Sequence, residues 1–181
     1  PRLYWIPDRI LKLGGTPWEM SAPATRYPGS LAPMLEMLLD EAAELVDRRK
    51  ERADWIRAEL LEAAPDGTLA GPAMRAARPG FDPVHLRFPL LLPDRDRRDA
   101  ALSALRASGL GATPSYPQAI IDVPEARDYL VEGAVDTPEA RGVANRILTL
   151  PTHPYVTRAD ARRMGTIVGS VLASGSRKRT P

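Results

Sequence analysis

Ile147-Leu148-Thr149-Leu150-Pro151-Thr152-His153-Pro154-Tyr155-Val156-Thr157 reads as a strand, a pinned loop and the start of a helix. The apolar run Ile147 to Leu150 is strand-like. Pro151 and Pro154 fix their own φ and hold Leu150 and His153 away from the helical region, so the loop between them is extended and stiff. Thr157 caps the next helix, with Asp160 at the acidic end of a T-x-x-D box. Behind it Ala161, Met164, Ile167, Val168, Val171 and Leu172 recur at helical spacing, which places a final amphipathic helix against the strand. A histidine on a rigid loop invites a catalytic reading, but a general base needs a partner to hold its second ring nitrogen, and the sequence shows none. Pro151, His153, Pro154 and Thr157 are read as a structural joint between strand and helix.

Upstream, Val84 to Leu92 is the strongest strand signal, with Val84, Leu86, Phe88 and Leu90 alternating toward one face and His85 and Arg87 toward the other. Pro89 marks this strand as an edge or a bulge. Asp94 caps a helix running to about Ser108, and Gly109 suits its end. Leu110 to Tyr116 is a shorter strand or extended segment, and a possible edge strand lies near Thr68-Leu69-Ala70. Asp122 to Asp136 is ambiguous, with a broken helical turn at Glu125 to Leu130, and Thr137-Pro138-Glu139 opens a short helix to about Asn145. Before all of these, Leu31, Met34, Leu35, Leu38, Ala42, Leu45, Ala53, Ile56 and Leu60 trace one face of a long helix over about 31–61, with Ser30 as its cap. The pair Glu44 and Arg48 supports its wet face, and the charged run Asp47 to Arg52 is read as solvated. The order predicts an α+β two-layer sandwich, a small antiparallel or mixed sheet with helices on one face. Residues 1–29, rich in proline and anchored by Tyr4, Trp5, Trp18 and Tyr27, form an extended arm; 30–173 form the domain; 174–181 form a flexible basic tail.

The composition excludes more than it selects. The chain has 181 residues, a formal charge of +2 and no cysteine, so disulfides, thiolate metal sites and cysteine nucleophiles are ruled out. Charges alternate in sign instead of forming a basic face, which argues against nucleic acid, and no apolar run approaches the roughly 18–20 residues of a membrane span. No glycine-rich phosphate loop, H-E-x-x-H or G-x-S-x-G occurs. His85 and His153 are the only histidines, so no metal site is expected. Tyr116, between Ser115 and Pro117 at a strand end, is placed either to face a cleft or to fill a domain seam. The first residue, Pro1, reads as the start of a piece cut from a longer protein.

Arg48-Arg49-Lys50-Glu51-Arg52-Ala53, His85-Leu86-Arg87-Phe88-Pro89, Gly109 to Tyr116 and above all Leu150-Pro151-Thr152-His153-Pro154-Tyr155-Val156-Thr157 resemble the C-terminal part of the DegT/DnrJ/StrS aminotransferases. These are pyridoxal-phosphate enzymes of the aspartate aminotransferase fold (fold type I), and the likeness runs over about 12–171. It implies a small domain that closes the active-site cleft of a cytoplasmic homodimer, with an N-terminal large domain as partner and an amino donor and a keto-sugar as substrates. It also implies that the cofactor-binding lysine belongs to the large domain. Lys12, Lys50 and Lys178, the only lysines here, lack that lysine's serine- and glycine-flanked setting, so this chain alone is expected to be inactive. Many members carry H-Y-x-P-x-H where Ser115 to Ile120 stand, so Tyr116 matches and both histidines do not. Arg26 matches the arginine of an N-x-R element that reaches a neighbouring subunit's cofactor phosphate, without the asparagine. Tyr116, Ser115 and Arg26 are therefore the ligand-proximal candidates. A non-catalytic scaffolding domain derived from the same fold is the alternative.

Overall fold

The computed structural model describes residues 29, 32–64, 66–75, 83–116, 118–124, 126, 130 and 136–176. The chain divides into a unit Pro1–Pro33, nearly all of it outside those residues, and a unit Met34–Pro181. The arm with its aromatic anchors, Arg26, the Ser30 cap and the last residues of the basic tail lie outside the described residues.

Strands β1 (Arg87–Leu91) and β2 (Ile147–Pro151) pair antiparallel, with Phe88 opposite Leu150 and Leu90 opposite Leu148. All four of these side chains are fully buried. They meet Ala53, Ile56 and Leu60 of helix α1 (Ala32–Ala63), Ala101 and Leu105 of α2 (Arg95–Ala107), and Ala161, Met164 and Val168 of α4 (Arg158–Ser176) in one apolar cluster. Each fully buried Leu, Ile or Phe contributes about 1.5–3 kcal/mol, so this layer contact dominates the fold's stability. A short α3 (Pro138–Arg146) precedes β2. The α+β two-layer architecture is the one expected.

Both strands contain a proline, and the register explains how. Leu91 N–H donates to Ala70 O (3.1 Å for the reciprocal Ala70 N to Leu91 O) and Thr149 N–H to Thr113 O at 2.8 Å, so these odd-numbered positions turn their N–H groups away from the partner strand. Pro89 and Pro151 share that parity and cost the central ladder no bond. The outer edges are single bridges, Ala70 to Leu91 and Thr113 to Thr149. Of Leu110 to Tyr116, expected as a short strand or an extended segment, only Thr113 pairs with the sheet. Gly111 (φ 62°) and Ser115 (φ 52°) lie in the left-handed region on either side of Thr113 and curl the backbone out of the ladder.

Three local expectations change. The strand starts at Arg87, not Val84; Leu86 is exposed, because the chain leaves the sheet there and the His85 and Leu86 carbonyls accept from Thr152 Oγ1 (2.6 and 2.9 Å). Helix α1 uses its apolar stripe only in its C-terminal half, and Met34, Leu35, Leu38 and Leu39 stay exposed. The charged run in α1 is not wholly solvated: Arg49 Nη1 donates to Leu86 O (2.9 Å) and Arg52 Nη2 to Pro154 O (3.5 Å), which clamps the end of the sheet. The helix ends follow the reading more closely. Asp94 Oδ1 accepts from Arg97 N (2.8 Å), Gly109 is left-handed (φ 72°), and Glu44 pairs with Arg48. Thr137 makes no side-chain cap bond, Pro138 at the first turn leaving that end to the backbone. Helix α4 continues to Ser176, past the expected boundary at 173. Most of Glu125 to Leu130 lies outside the described residues.

Candidate functional site

On the face of the sheet turned away from Phe88, Leu90, Leu148 and Leu150, a small polar network is set among Pro89, Leu91, Ile147 and Pro151. Arg87 of β1 and Thr149 of β2 project there by strand alternation, and Thr113 and Ser115 arrive from the edge segment. Arg87 Nε donates to Thr149 Oγ1 (2.8 Å), and Nη2 donates to Gly111 O (2.6 Å) and Thr149 O (3.0 Å). Thr149 Oγ1 also lies 3.0 Å from Thr113 Oγ1 and 2.7 Å from Ser115 Oγ. A hydroxyl oxygen accepts two hydrogen bonds and donates one, so Arg87, Thr113 and Ser115 saturate Thr149, as its 5% exposure requires. Burial holds the Arg87 guanidinium below its ordinary pKa, although it remains a cation.

This network fixes a strained turn. Tyr116 N–H donates to Pro114 O at 2.6 Å across Ser115, whose φ of 52° makes this the rarer, positive-φ γ-turn. A non-glycine residue in that region costs on the order of 1–3 kcal/mol, and Thr149 and Thr113 supply the hydroxyl contacts that hold Ser115 there. The turn presents Tyr116, 68% exposed, beside the Arg87 network. Ser115 and Tyr116 both belong to this turn; Arg26 lies outside the described residues.

The joint after β2 has a different character. Thr157 Oγ1 accepts from Asp160 N (3.1 Å), and Asp160 Oδ2 accepts from Thr157 N (3.0 Å), a reciprocal capping box. Pro151 is buried, Pro154 is half-buried, and His153 O accepts from Val156 N at 3.0 Å. The His153 ring is exposed, stands 5.9 Å from the Tyr155 ring, and lines a cavity of about 170 Å³ with Gly109, Gly111, Tyr155 and Asp160. The joint is built by backbone, prolines and Thr152, whose hydroxyl is fully buried in the sheet end, and the imidazole adds little to it. A second cavity, of about 260 Å³, is lined by Leu61, Leu69, Met74 and Arg75 among others. Neither is lined by a lysine, and Lys50 sits half-buried on α1. The described residues thus do not fit a covalently held pyridoxal phosphate. Among them no group of histidines and carboxylates is placed to hold a metal ion, and no helix is long and apolar enough to cross a membrane.

The profile of the DegT/DnrJ/EryC1/StrS aminotransferase family matches residues 25–169. The chain belongs to that family. No curated protein matches it. Among solved structures, S. venezuelae DesV in complex with a ketimine intermediate is 24% identical with a TM-score of 0.62, over 92% of this chain and 43% of DesV. A DegT/DnrJ/EryC1/StrS aminotransferase from Brucella abortus is 20% identical with a TM-score of 0.62, over 86% of this chain and 39% of its own. A putative sugar aminotransferase from Streptococcus pneumoniae, in its PMP form, is 14% identical with a TM-score of 0.65, over 91% and 40%. The chain spans less than half the length of each, and the likeness establishes the fold.

Within this DegT-family domain, Arg87 and Thr149 are the residues that sequence reasoning missed as site residues. The signal for Arg87 was present, since alternation in β1 sets it opposite Phe88 and Leu90. Thr149 gave only a small polar side chain inside an apolar run, which a buried hydroxyl satisfied by any neighbour would also give.

Proposed function

We propose that this chain is the C-terminal, small-domain part of a pyridoxal-phosphate-dependent sugar aminotransferase, where it closes one wall of the catalytic cleft. The observation that carries this reading is the strained turn at Ser115, held by the Arg87–Thr149 network, with the exposed Tyr116 as the next residue. Strain kept in place by several hydrogen bonds points to a side chain whose position matters. A second feature supports a large-domain partner. The stripe that buries Ala53, Ile56 and Leu60 continues up α1 as Leu45, Leu38 and Met34, where exposure reaches 39–53%. In the complete protein the large domain covers that stripe and supplies the lysine that binds the cofactor. By resemblance we also expect a cytoplasmic homodimer, an amino donor and a keto-sugar acceptor, with Arg26 near the cofactor phosphate.

The chain by itself is then inactive. Adding pyridoxal phosphate leaves the protein without a new absorbance band that survives gel filtration and without borohydride-trapped cofactor; either signal would show that a lysine of this chain performs the task assigned to the large domain. In the complete protein, Tyr116→Phe lowers kcat/KM with the melting temperature unchanged, and unchanged kinetics would remove Tyr116 from the cleft.

A non-catalytic scaffolding role is the second reading, favoured by Ser115 and Ile120 standing where many members have histidines. The complete reading frame separates the two: a strand-flanked lysine with an upstream aspartate supports the enzyme, and their absence supports the scaffold.

A further inference from the structure

The geometry points to Arg87 as the centre of an oxyanion subsite on the face of the sheet opposite Phe88 and Leu90, taking a carboxylate or phosphate group of a small molecule with Ser115 and Tyr116 as candidate hydroxyl donors. Three observations carry it. First, the guanidinium is held by neutral acceptors only: Thr149 Oγ1, Thr149 O and Gly111 O. Among the described residues no carboxylate lies within ion-pair distance of it, whereas Arg52, Arg57, Arg97, Arg98 and Arg141 each have one. Second, these three bonds use Nε–H and both Nη2 hydrogens, and no acceptor among the described residues is bonded to Nη1, which leaves its two N–H donors for a ligand. Third, the guanidinium cannot swing away to find a counter-ion without breaking all three bonds, so the cation is pre-oriented at one place.

A half-buried cation with no counter-charge has lost part of its hydration and recovered none of it as ion pairing. An anion arriving at Nη1 gains a charge-assisted hydrogen bond, stronger than a neutral one, and the binding geometry is prepaid by the sheet. The hydroxyls define the chemistry further. Ser115 Oγ is 2.7 Å from Thr149 Oγ1 and belongs to an exposed residue, and Tyr116, the next residue, is exposed as well. Both are hydroxyl donors of the kind that complete a carboxylate or phosphate site. The inference deepens the proposed function by naming the group this face would hold; it rests on that reading for the ligand's place in turnover, but not for the binding itself.

The test is a titration of the isotope-labelled full chain with sodium acetate and with inorganic phosphate, at constant ionic strength balanced by chloride. The Arg87 Nε–H resonance, identified by its loss in Arg87→Lys, and the Tyr116 ring resonances are followed. A saturable shift of both with a dissociation constant on the order of 10 mM or tighter is expected for at least one anion. Acetate alone identifies a carboxylate site, phosphate alone a phosphate site, and both together a general oxyanion site; each supports the inference. Arg87→Met weakens binding by about tenfold or more, the loss of one charge-assisted bond. Absence of saturation with either anion in the unaltered chain overturns the proposal, as does equal affinity in a folded Arg87→Met chain. The unaltered chain keeps the test decisive should that variant not fold. Binding here with a complete protein that lacks turnover would discard the aminotransferase reading and keep the subsite.

Discussion

Replacing two glycines by alanine, one at a time, should move stability in opposite directions. In the interior of a helix alanine is favoured over glycine by about 0.8–1.0 kcal/mol. At Gly142 in α3 a new Cβ meets nothing within 4 Å, so Gly142→Ala should realise most of that gain. At Gly165 in α4 the Cβ would lie 2.9 Å from both Glu59 Cβ and Glu59 O. Carbon atoms pack best at about 3.5–4.0 Å, and here one obstacle is backbone, so α1 and α4 must separate where they cross. Overpacking of this kind costs about 1–3 kcal/mol, and the backbone obstacle puts this site in the upper half, about 2–3 kcal/mol, so subtracting the propensity gain leaves Gly165→Ala destabilised by about 1–2 kcal/mol. In urea, with an m-value of about 2 kcal/mol/M, the midpoint falls by about 0.5–1 M for Gly165→Ala and rises by about 0.3–0.5 M for Gly142→Ala. Circular dichroism at 222 nm reads both. Equal or higher stability of Gly165→Ala would show that the two helices do not approach as closely as the structure has them.

Other consequences are simpler. Thr157→Ala removes the acceptor for Asp160 N and should cost about 1 kcal/mol, a fall of about 2–4 °C in melting temperature, with an unchanged melt arguing against the capping box. Leu148→Ala empties a fully buried site opposite Leu90 and should cost about 2–5 kcal/mol; a loss below about 1 kcal/mol in a denaturant melt would contradict its place in the core. His85, whose Nε2 is buried without a hydrogen-bond partner, has its pKa lowered from 6.5, first by burial and then by the charge of Arg57. The unfolded chain therefore takes up the proton first, and stability should decline as pH falls below 6.5 and level off below the folded value, a slope that His85→Gln removes. Asp122 is held below 3.8, chiefly by hydrogen bonds from Arg141, so its contribution is complete above that value and is lost as pH falls through the folded pKa. In Asp122→Asn, acid unfolding should lose that component, and an identical acid limb would leave the ion pair without a part in stability.

Much of the fold was legible because it follows from short-range rules. The β2 run, the Thr157 and Asp160 box and the Asp94 cap all act within a few residues of themselves, and each came out as read, except that Pro151 closes the strand instead of opening the loop. The errors arose where a residue's state depends on what lies across from it. Val84 and Leu86 alternate correctly, yet they have no facing strand, because pairing begins where Arg87 meets Pro151. Leu38 and Ile56 sit on one stripe of α1, and only the second has a sheet beneath it. Arg49 and Arg52 looked like part of a wet charged run and instead reach Leu86 and Pro154, residues far along the chain.

The candidate site shows the same division. From the sequence came a tyrosine before a proline, a serine beside it, and the motif run that identifies the DegT family, since identity and strand parity are local properties of the chain. The left-handed Ser115, the saturated Thr149 and the Arg87 cation without a carboxylate came from the tertiary structure alone. Each requires segments from β1, β2 and the edge at Thr113 to meet, and hydrogen bonds within reach of about 3 Å are created by that meeting rather than by any one segment.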